Sequence, residues 1–264
     1  MPFPEVKRVI YKKNPLDKVI CQLRFPPILK IDAEIPSEFQ DKIRKDFPNY
    51  TETTELRVEP SPRIKGQIPP ELLSQVLQST STKNYEFSSE DEQWKINMTR
   101  TFISLTANKY ERWEKFKEKL EVPLKALMEI YSPSHFSRIG LRYIDVIQRS
   151  VLGLEGVSWT ELLKPYILGV LAAPEICGYV RDSECRYEIG LSDKESTVRM
   201  VTKLVEDVDS GEICFRIDSD FFNTKKTSLN DTFDSLDYFN KRASRLIQWC
   251  ITDRLHKSME PLKV

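Results

Sequence analysis

The sequence predicts an α+β fold in which one module, strand, helix, antiparallel meander and long helix, occurs twice. Three observations carry this. Val19-Ile20-Cys21-Gln22-Leu23-Arg24-Phe25 has an echo in Ser137–Ile147, where Leu141-Arg142-Tyr143 again sets Leu-Arg-aromatic inside an apolar run, and the two arginines stand 118 positions apart. Each strand is followed by a helix-start signal and then by segments that alternate apolar and polar, the period of a half-buried strand. Each half closes on a long amphipathic helix with a trailing proline, Pro133 and Pro261. The expected modules are residues 1–132 and 133–264.

In the first half, residues 1–17 hold Pro2, Pro4 and Pro15 and read as an irregular lead-in. The first strand spans Lys18 to Phe25, and Pro26-Pro27 stops it because proline withdraws a ladder donor. Ser37 is the expected N-cap of a helix with Gln40 as its capping-box partner. Phe39, Ile43 and Phe47 make its apolar face, and Pro48 ends it. Tyr50 to Val58 alternates as a strand. Residues 60–83, rich in Pro, Ser, Thr and Gln, read as a long loop with a short helix from Pro70 to Gln78; loops this long in compact domains are often functional. Tyr85 to Ser89, Trp94 to Met98 and Thr101 to Thr106 form the meander. Asn108 is the expected cap of the long helix, with Glu111 at the third position. Trp113, Phe116, Leu120, Leu124, Leu127 and Tyr131 recur at steps of three and four along one face. Pro123, inside that pattern, predicts a kink or a break.

The second half opens with the strand at 137–147. Ser158 and Glu161 make another capping box, for a helix reaching about Ala172 despite Pro165. Strands are expected at Ile176 to Val180, Arg186 to Leu191, Thr197 to Val205 and Ile213 to Ile217, the last ending in a turn at Asp218. A final helix from Asp231 to Lys257 carries Leu236, Phe239, Ala243, Leu246 and Cys250 on one face.

Composition bounds the chemistry. Lys+Arg and Asp+Glu are both 40, so there is no basic excess of the kind that phosphate neutralisation usually leaves in nucleic-acid-binding proteins. The 40% hydrophobic and 30% charged content belongs to a folded chain rather than a disordered one. No apolar run approaches the ~20 residues that cross a bilayer, and the first residues have no signal-peptide core. The expectation is a cytoplasmic protein with no membrane partner. The five cysteines, Cys21, Cys177, Cys185, Cys214 and Cys250, include no C-x-x-C pair. With only His135 and His256 beside them they offer no zinc spacing and are expected to be free, mostly buried thiols. Neither a Walker loop nor Gly-x-Gly-x-x-Gly occurs, and no cofactor is expected. Ser134-His135 lacks the elbow of a serine hydrolase, and no catalytic residue is assigned.

Arg24 and Arg142 are the leading binding residues. A charge within an apolar strand has to be paired or solvated, because burying it alone is costly. Alternation puts Arg24 on the face of Gln22, and Arg142 on the face of Gly140 and Ile144. In equivalent halves the two would line a shared groove at a pseudo-twofold axis and bind an anion; the structural alternative is that each pairs with a carboxylate. Asp145, a further candidate binding residue, is an odd step from Arg142, points the other way and is not its obvious partner. Trp94, like Phe102, Tyr187 and Phe215, lies on a sheet face, where it either stacks a base or packs under a long helix. Asp218-Ser219-Asp220 has the spacing of a divalent metal site at a strand end, or of an ordinary aspartate-rich turn.

Asn14-Pro15-Leu16-x-x-Val19-Ile20-Cys21-Gln22-Leu23-Arg24-Phe25-Pro26-Pro27 resembles the N-terminal motif of a sporadically distributed, largely uncharacterised prokaryotic family of chains about this long. Trp94, Phe102-Ile103-Ser104-Leu105, Tyr110-x-x-Trp113-x-x-Phe116 and Gly140-Leu141-Arg142-Tyr143-Ile144 are similar to the same pattern, so the resemblance spans most of the chain. Asp145 stands where that pattern has Asn. The resemblance implies no established activity, cofactor or site. By topology alone the duplicated order is also similar to the saddle of the TATA-binding protein, a likeness of fold that carries no function.

The expected function is a non-catalytic binding protein acting through a groove between its halves, on a protein partner or a small anionic ligand, with a homodimer compatible. Two other readings stand beside it. One is a nucleic-acid-binding protein using a sheet face through Arg24, Arg142 and aromatic residues. The other is a metal-dependent hydrolase or nuclease using Asp218 and Asp220.

Overall fold

Alternating strands with one apolar face need a layer to cover that face, and here two long helices supply it. The computed structural model describes residues 2–56 and 81–263, which have an α+β fold. Its strands in chain order are β1 (Val9–Tyr11), β2 (Leu16–Arg24), β3 (Asn49–Leu56), β4 (Ser81–Ser88), β5 (Trp94–Thr99), β6 (Phe102–Ala107), β7 (Arg138–Ile147), β8 (Glu184–Gly190), β9 (Ser196–Glu206), β10 (Ile213–Asn223) and β11 (Pro261–Lys263). Nine of them form one sheet in the order β3-β4-β5-β6-β2-β7-β10-β9-β8, every neighbouring pair antiparallel. The short pair β1–β11 lies apart from it.

The strands that open the two expected modules, β2 and β7, pair with each other at the centre. Outward from them the order is β6-β5-β4-β3 on one side and β10-β9-β8 on the other, so the halves are alike in order but unequal in strand number. Gln22 pairs directly with Gly140, its counterpart at the same 118-position offset, and Val19 pairs with Tyr143. The sheet runs unbroken across the 132/133 boundary, and one hydrophobic cluster draws on both halves.

The helix Trp113–Tyr131 buries Trp113, Phe116, Leu120, Leu124 and Leu127, and Trp94 of β5 meets Phe116 at a 5.8 Å centroid distance. It runs through Pro123 without a break. Each large apolar side chain it buries is worth about 1.5–3 kcal/mol, so the face together outweighs the ~3 kcal/mol that an interior proline costs. The helix Thr232–Cys250 buries Leu236, Phe239, Ala243, Leu246 and Cys250, the face read from the sequence. It crosses β7 and β10.

Several boundaries differ from expectation. Ser37 is the first residue of its helix rather than the cap, behind Pro36, and no side chain caps that end. Asn108 does not cap the first long helix; its side-chain Nδ2 donates to the Glu92 carbonyl at 2.9 Å, and the helix begins at Trp113. Ser158 does cap its helix, accepting from the Thr160 amide, but the helix stops at Leu162. Proline disfavours helical backbone in the residue before it; Lys164, before Pro165, is extended, and a separate turn of helix spans Pro165–Leu168. Ile176 to Val180 is not a strand: Cys177–Tyr179 is a 3-10 turn, an apolar run too short for period to decide its conformation. The last helix ends at Cys250, and Thr252 caps a second one, Asp253–Ser258. Residues 81–83 of the expected loop belong to β4; residues 57–80, with the expected helix at 70–78, lie outside the described residues.

The most consequential difference is β10. It does not end at Ile217 but continues to Asn223, so Asp218 and Asp220 sit within a strand between β7 and β9. Acidic residues are poor strand formers by themselves. Here arginines on β7 meet them across the ladder, and opposite-charge pairs stabilise such a register.

Candidate functional site

The face of the sheet away from the long helices is polar at its centre. Arg142 donates from Nε to Asp218 Oδ1 at 2.7 Å and from Nη2 to Asp218 Oδ2 at 2.5 Å, the bidentate geometry that suits guanidinium and carboxylate. Arg138 donates from Nη2 to both carboxylate oxygens of Asp220, at 3.0 and 2.8 Å. To do so it lies flat over Gly140: a Cβ on that glycine would stand 2.2 Å from Arg138 Nη1. Phe222 lies under the guanidinium, 4.8 Å from ring centre to Cζ. Arg24 is exposed, and its Nε donates to Gln22 Oε1 at 3.0 Å.

Arg24 and Arg142 do share a face, as alternation requires, but they do not meet. Arg24 is opposite Arg138, and Arg142 is opposite Ile20, so the two arginines are four positions apart along the strands. At ~3.3 Å per residue that is about 13 Å. Asp218 and Asp220 are each engaged by an arginine. Among the described residues no group of three His, Cys, Asp or Glu side chains is placed to hold a metal ion. Trp94 is buried on the helix side against Phe116, where it is core.

Asp145 is on the other face, as its odd step from Arg142 predicts. It is 5% exposed and makes no hydrogen bond or ion pair with any described residue. Instead it lines a cavity of about 450 Å³. Next to it on β10, Ser219 is 2% exposed and its hydroxyl is buried with no hydrogen-bond partner among the described residues. Tyr143, opposite Ser219 in the register, completes the floor and donates its hydroxyl to Asn240 Oδ1 of the second long helix at 3.0 Å.

Both halves build the walls. Tyr110 comes from the segment just before the first long helix and Trp113 from its first residue, and Asn240 and Leu246 come from the second. Trp113 Nε1 donates to Asp237 Oδ1 at 2.5 Å and joins the two helices above the sheet. The N-terminal segment 5–15 straps the mouth. Arg8 clasps Glu114 with two hydrogen bonds of 2.7 and 2.9 Å, Glu5 meets Arg245 at 3.2 Å, and β1 pairs with β11. The Tyr11 hydroxyl shares a 2.8 Å hydrogen bond with His256 Nδ1.

The electrostatics single out the floor. Burial, reinforced by the charge of Asp218 beyond the sheet, pushes the Asp145 carboxyl up from 3.8 to about 7. Burial also pushes the Tyr11 phenol up to about 12, with a further rise from Asp145, and raises Tyr110 and Tyr143 as well. The rings are therefore neutral walls. At the mouth the hydrogen bonds from Arg8 hold the Glu114 carboxyl down at about 2.

Sequence reasoning singled out Asp145 and its face but missed Ser219, Tyr11, Tyr110, Arg138 and Asn240. Ser219 was legible in principle. If Ile213–Asn223 is read as one strand, Ser219 alternates with Ile217 and Phe221 onto the core face. Comparison with protein-family models and with curated proteins returns no match to the chain.

Proposed function

We propose that this chain is a non-catalytic binding protein that holds a small organic ligand in the cavity between its two halves. The observation that carries the reading is Asp145: a carboxyl nine-tenths buried, without a partner among the described residues, aimed into a cavity beside a second orphaned polar group, Ser219. Buried polar groups are nearly always hydrogen-bonded, and an orphan costs about 1–3 kcal/mol. A ligand that satisfies both groups offsets that cost. The volume falls within the ~300–1,000 Å³ of small-molecule sites. The groove of this reading lies on the helix side of the sheet. On the polar face, anion or base recognition would have to begin by separating Arg142 from Asp218 and Arg138 from Asp220. A cytoplasmic setting and an origin of the halves by duplication belong to the same proposal, supported by the five free cysteines and by the matching strand order about β2–β7.

A fragment screen followed by backbone amide NMR tests the function. The library carries neutral, cationic and anionic small molecules. Binding should perturb the amides of Tyr143, Asp145, Ser219 and Tyr11 and should vanish when Ser219→Phe fills the floor. Shifts that scatter over the surface, or none in any charge class, would overturn the reading.

A further inference from the structure

The nature of the ligand follows from which charges are already satisfied around the cavity; this step rests on the proposed binding function. Eight charged side chains line it, four basic and four acidic. Arg8 is held by Glu114, Arg245 by Glu5, and Asp237 accepts from both Trp113 and Lys117. Arg112, Lys241 and Glu111 are exposed at the rim. That leaves Asp145 as the one lining charge that is both buried and unpaired among the described residues.

The groups that act on Asp145 come from four of the elements packed around it, while β2 sets only Leu16 opposite it. They are Tyr11 on β1, Tyr143 on its own strand, Asp218 on β10 and Cys250 on the second long helix. None is basic. A buried carboxylate without a cation is costly, and proteins ordinarily supply the cation or keep the group neutral. Here the cavity leaves room for a cation to come from outside.

The walls suit such a guest. Tyr11, Tyr110 and Tyr143 all line the cavity, and the rings of Tyr110 and Tyr143 stand edge to face at 6.1 Å. Aromatic faces attract organic cations, and the attraction grows when the site is desolvated. The volume is about three times that of an engineered apolar cavity that accepts benzene, enough for a ring or short chain bearing a charged head.

We propose that the cavity takes an organic ammonium ion, its charge paired with Asp145, its carbon skeleton against Tyr11, Tyr110 and Tyr143, and Ser219 hydrogen-bonded to its head.

Calorimetric titration with three probes that share one skeleton tests this: 2-phenylethylamine as its ammonium ion, 2-phenylethanol and phenylacetate. The ammonium ion should bind best at pH 8. It should bind about tenfold more weakly at pH 6, where only a minor fraction of Asp145 is ionised. Asp145→Asn should lose at least tenfold for the ammonium ion and abolish its preference over the alcohol. The pH series on the native chain keeps the test valid should the variant fold poorly. If the alcohol or the acid binds in the cavity as well as the ammonium ion, or binding is insensitive to pH and to Asp145→Asn, the ammonium assignment falls and the binding function stands. If none of the three perturbs the lining residues and the fragment screen is also silent, both fall.

Discussion

Asp145 and Asp218 are one register step apart on neighbouring strands, and their carboxylates lie on opposite faces of the same sheet. Both residues are 5% exposed. Asp218 has a bidentate arginine, and Asp145 has a cavity. The charge of Asp218 acts through the sheet and adds to the burial that raises Asp145.

Removing that charge should be felt on the far side. In Asp218→Asn the titration midpoint of Asp145 should drop below about 7, yet stay above the ordinary carboxylate range because burial is the larger cause. Carboxyl-carbon NMR reads it directly. An unchanged or higher midpoint would show that the two acids are not coupled.

Asp145 should also make stability fall with pH. Between 3.8 and about 7 the folded chain keeps a proton that the unfolded chain has released, so its contribution is fully present below 3.8, is lost as pH rises to about 7, and then levels off. At ~1.36 kcal/mol per pH unit the loss is about 4 kcal/mol. Asp145→Asn removes this slope, so urea unfolding should show the variant gaining on the native chain between acid and mildly alkaline pH. Parallel stability curves over that range would refute the assignment.

Gly140 is a test of the polar face. Gly140→Ala puts a methyl 2.2 Å from Arg138 Nη1 and 2.9 Å from Cζ, so the guanidinium must leave Asp220. The clash is with the movable end of a long side chain, so the cost should be that of the displaced, partly buried ion pair, about 1 kcal/mol. In a double-mutant cycle with Arg138→Ala the two effects should be strongly non-additive. Simple additivity would mean that the glycine serves something other than that arginine.

Arg8 holds the strap across the cavity mouth. Its pair with Glu114 is half exposed, so Arg8→Ala should change global stability by no more than about 1 kcal/mol. Amide hydrogen exchange at Val9 to Tyr11 should nevertheless quicken several-fold, since local opening is a separate, lower-energy event. Unaltered exchange would assign the strap's closure to β1–β11 pairing alone.

Much of this molecule is legible in its sequence because its rules are local. A step of three or four residues decides a helix face, and Phe116, Leu120 and Leu124 are buried as that step requires. A step of one decides a strand face, and that parity by itself sets Asp145 and Arg142 on opposite sides of the sheet. These periods come from backbone geometry and need no partner.

Pairing is different, because it depends on which strand arrives alongside. Nothing near Asp218 or Asp220 in sequence announces that β10 continues through them; arginines roughly 80 positions earlier on β7 make that possible. Nor does the sequence separate the two buried acids, since only the packed structure gives one an arginine and leaves the other facing a cavity. By itself the sequence determined the α+β class, the helix faces and the side of the sheet on which Asp145 lies. Tertiary structure decided which charges are neutralised and where space remains, since burial and electrostatic pairing are set by through-space distance, which sequence separation does not encode.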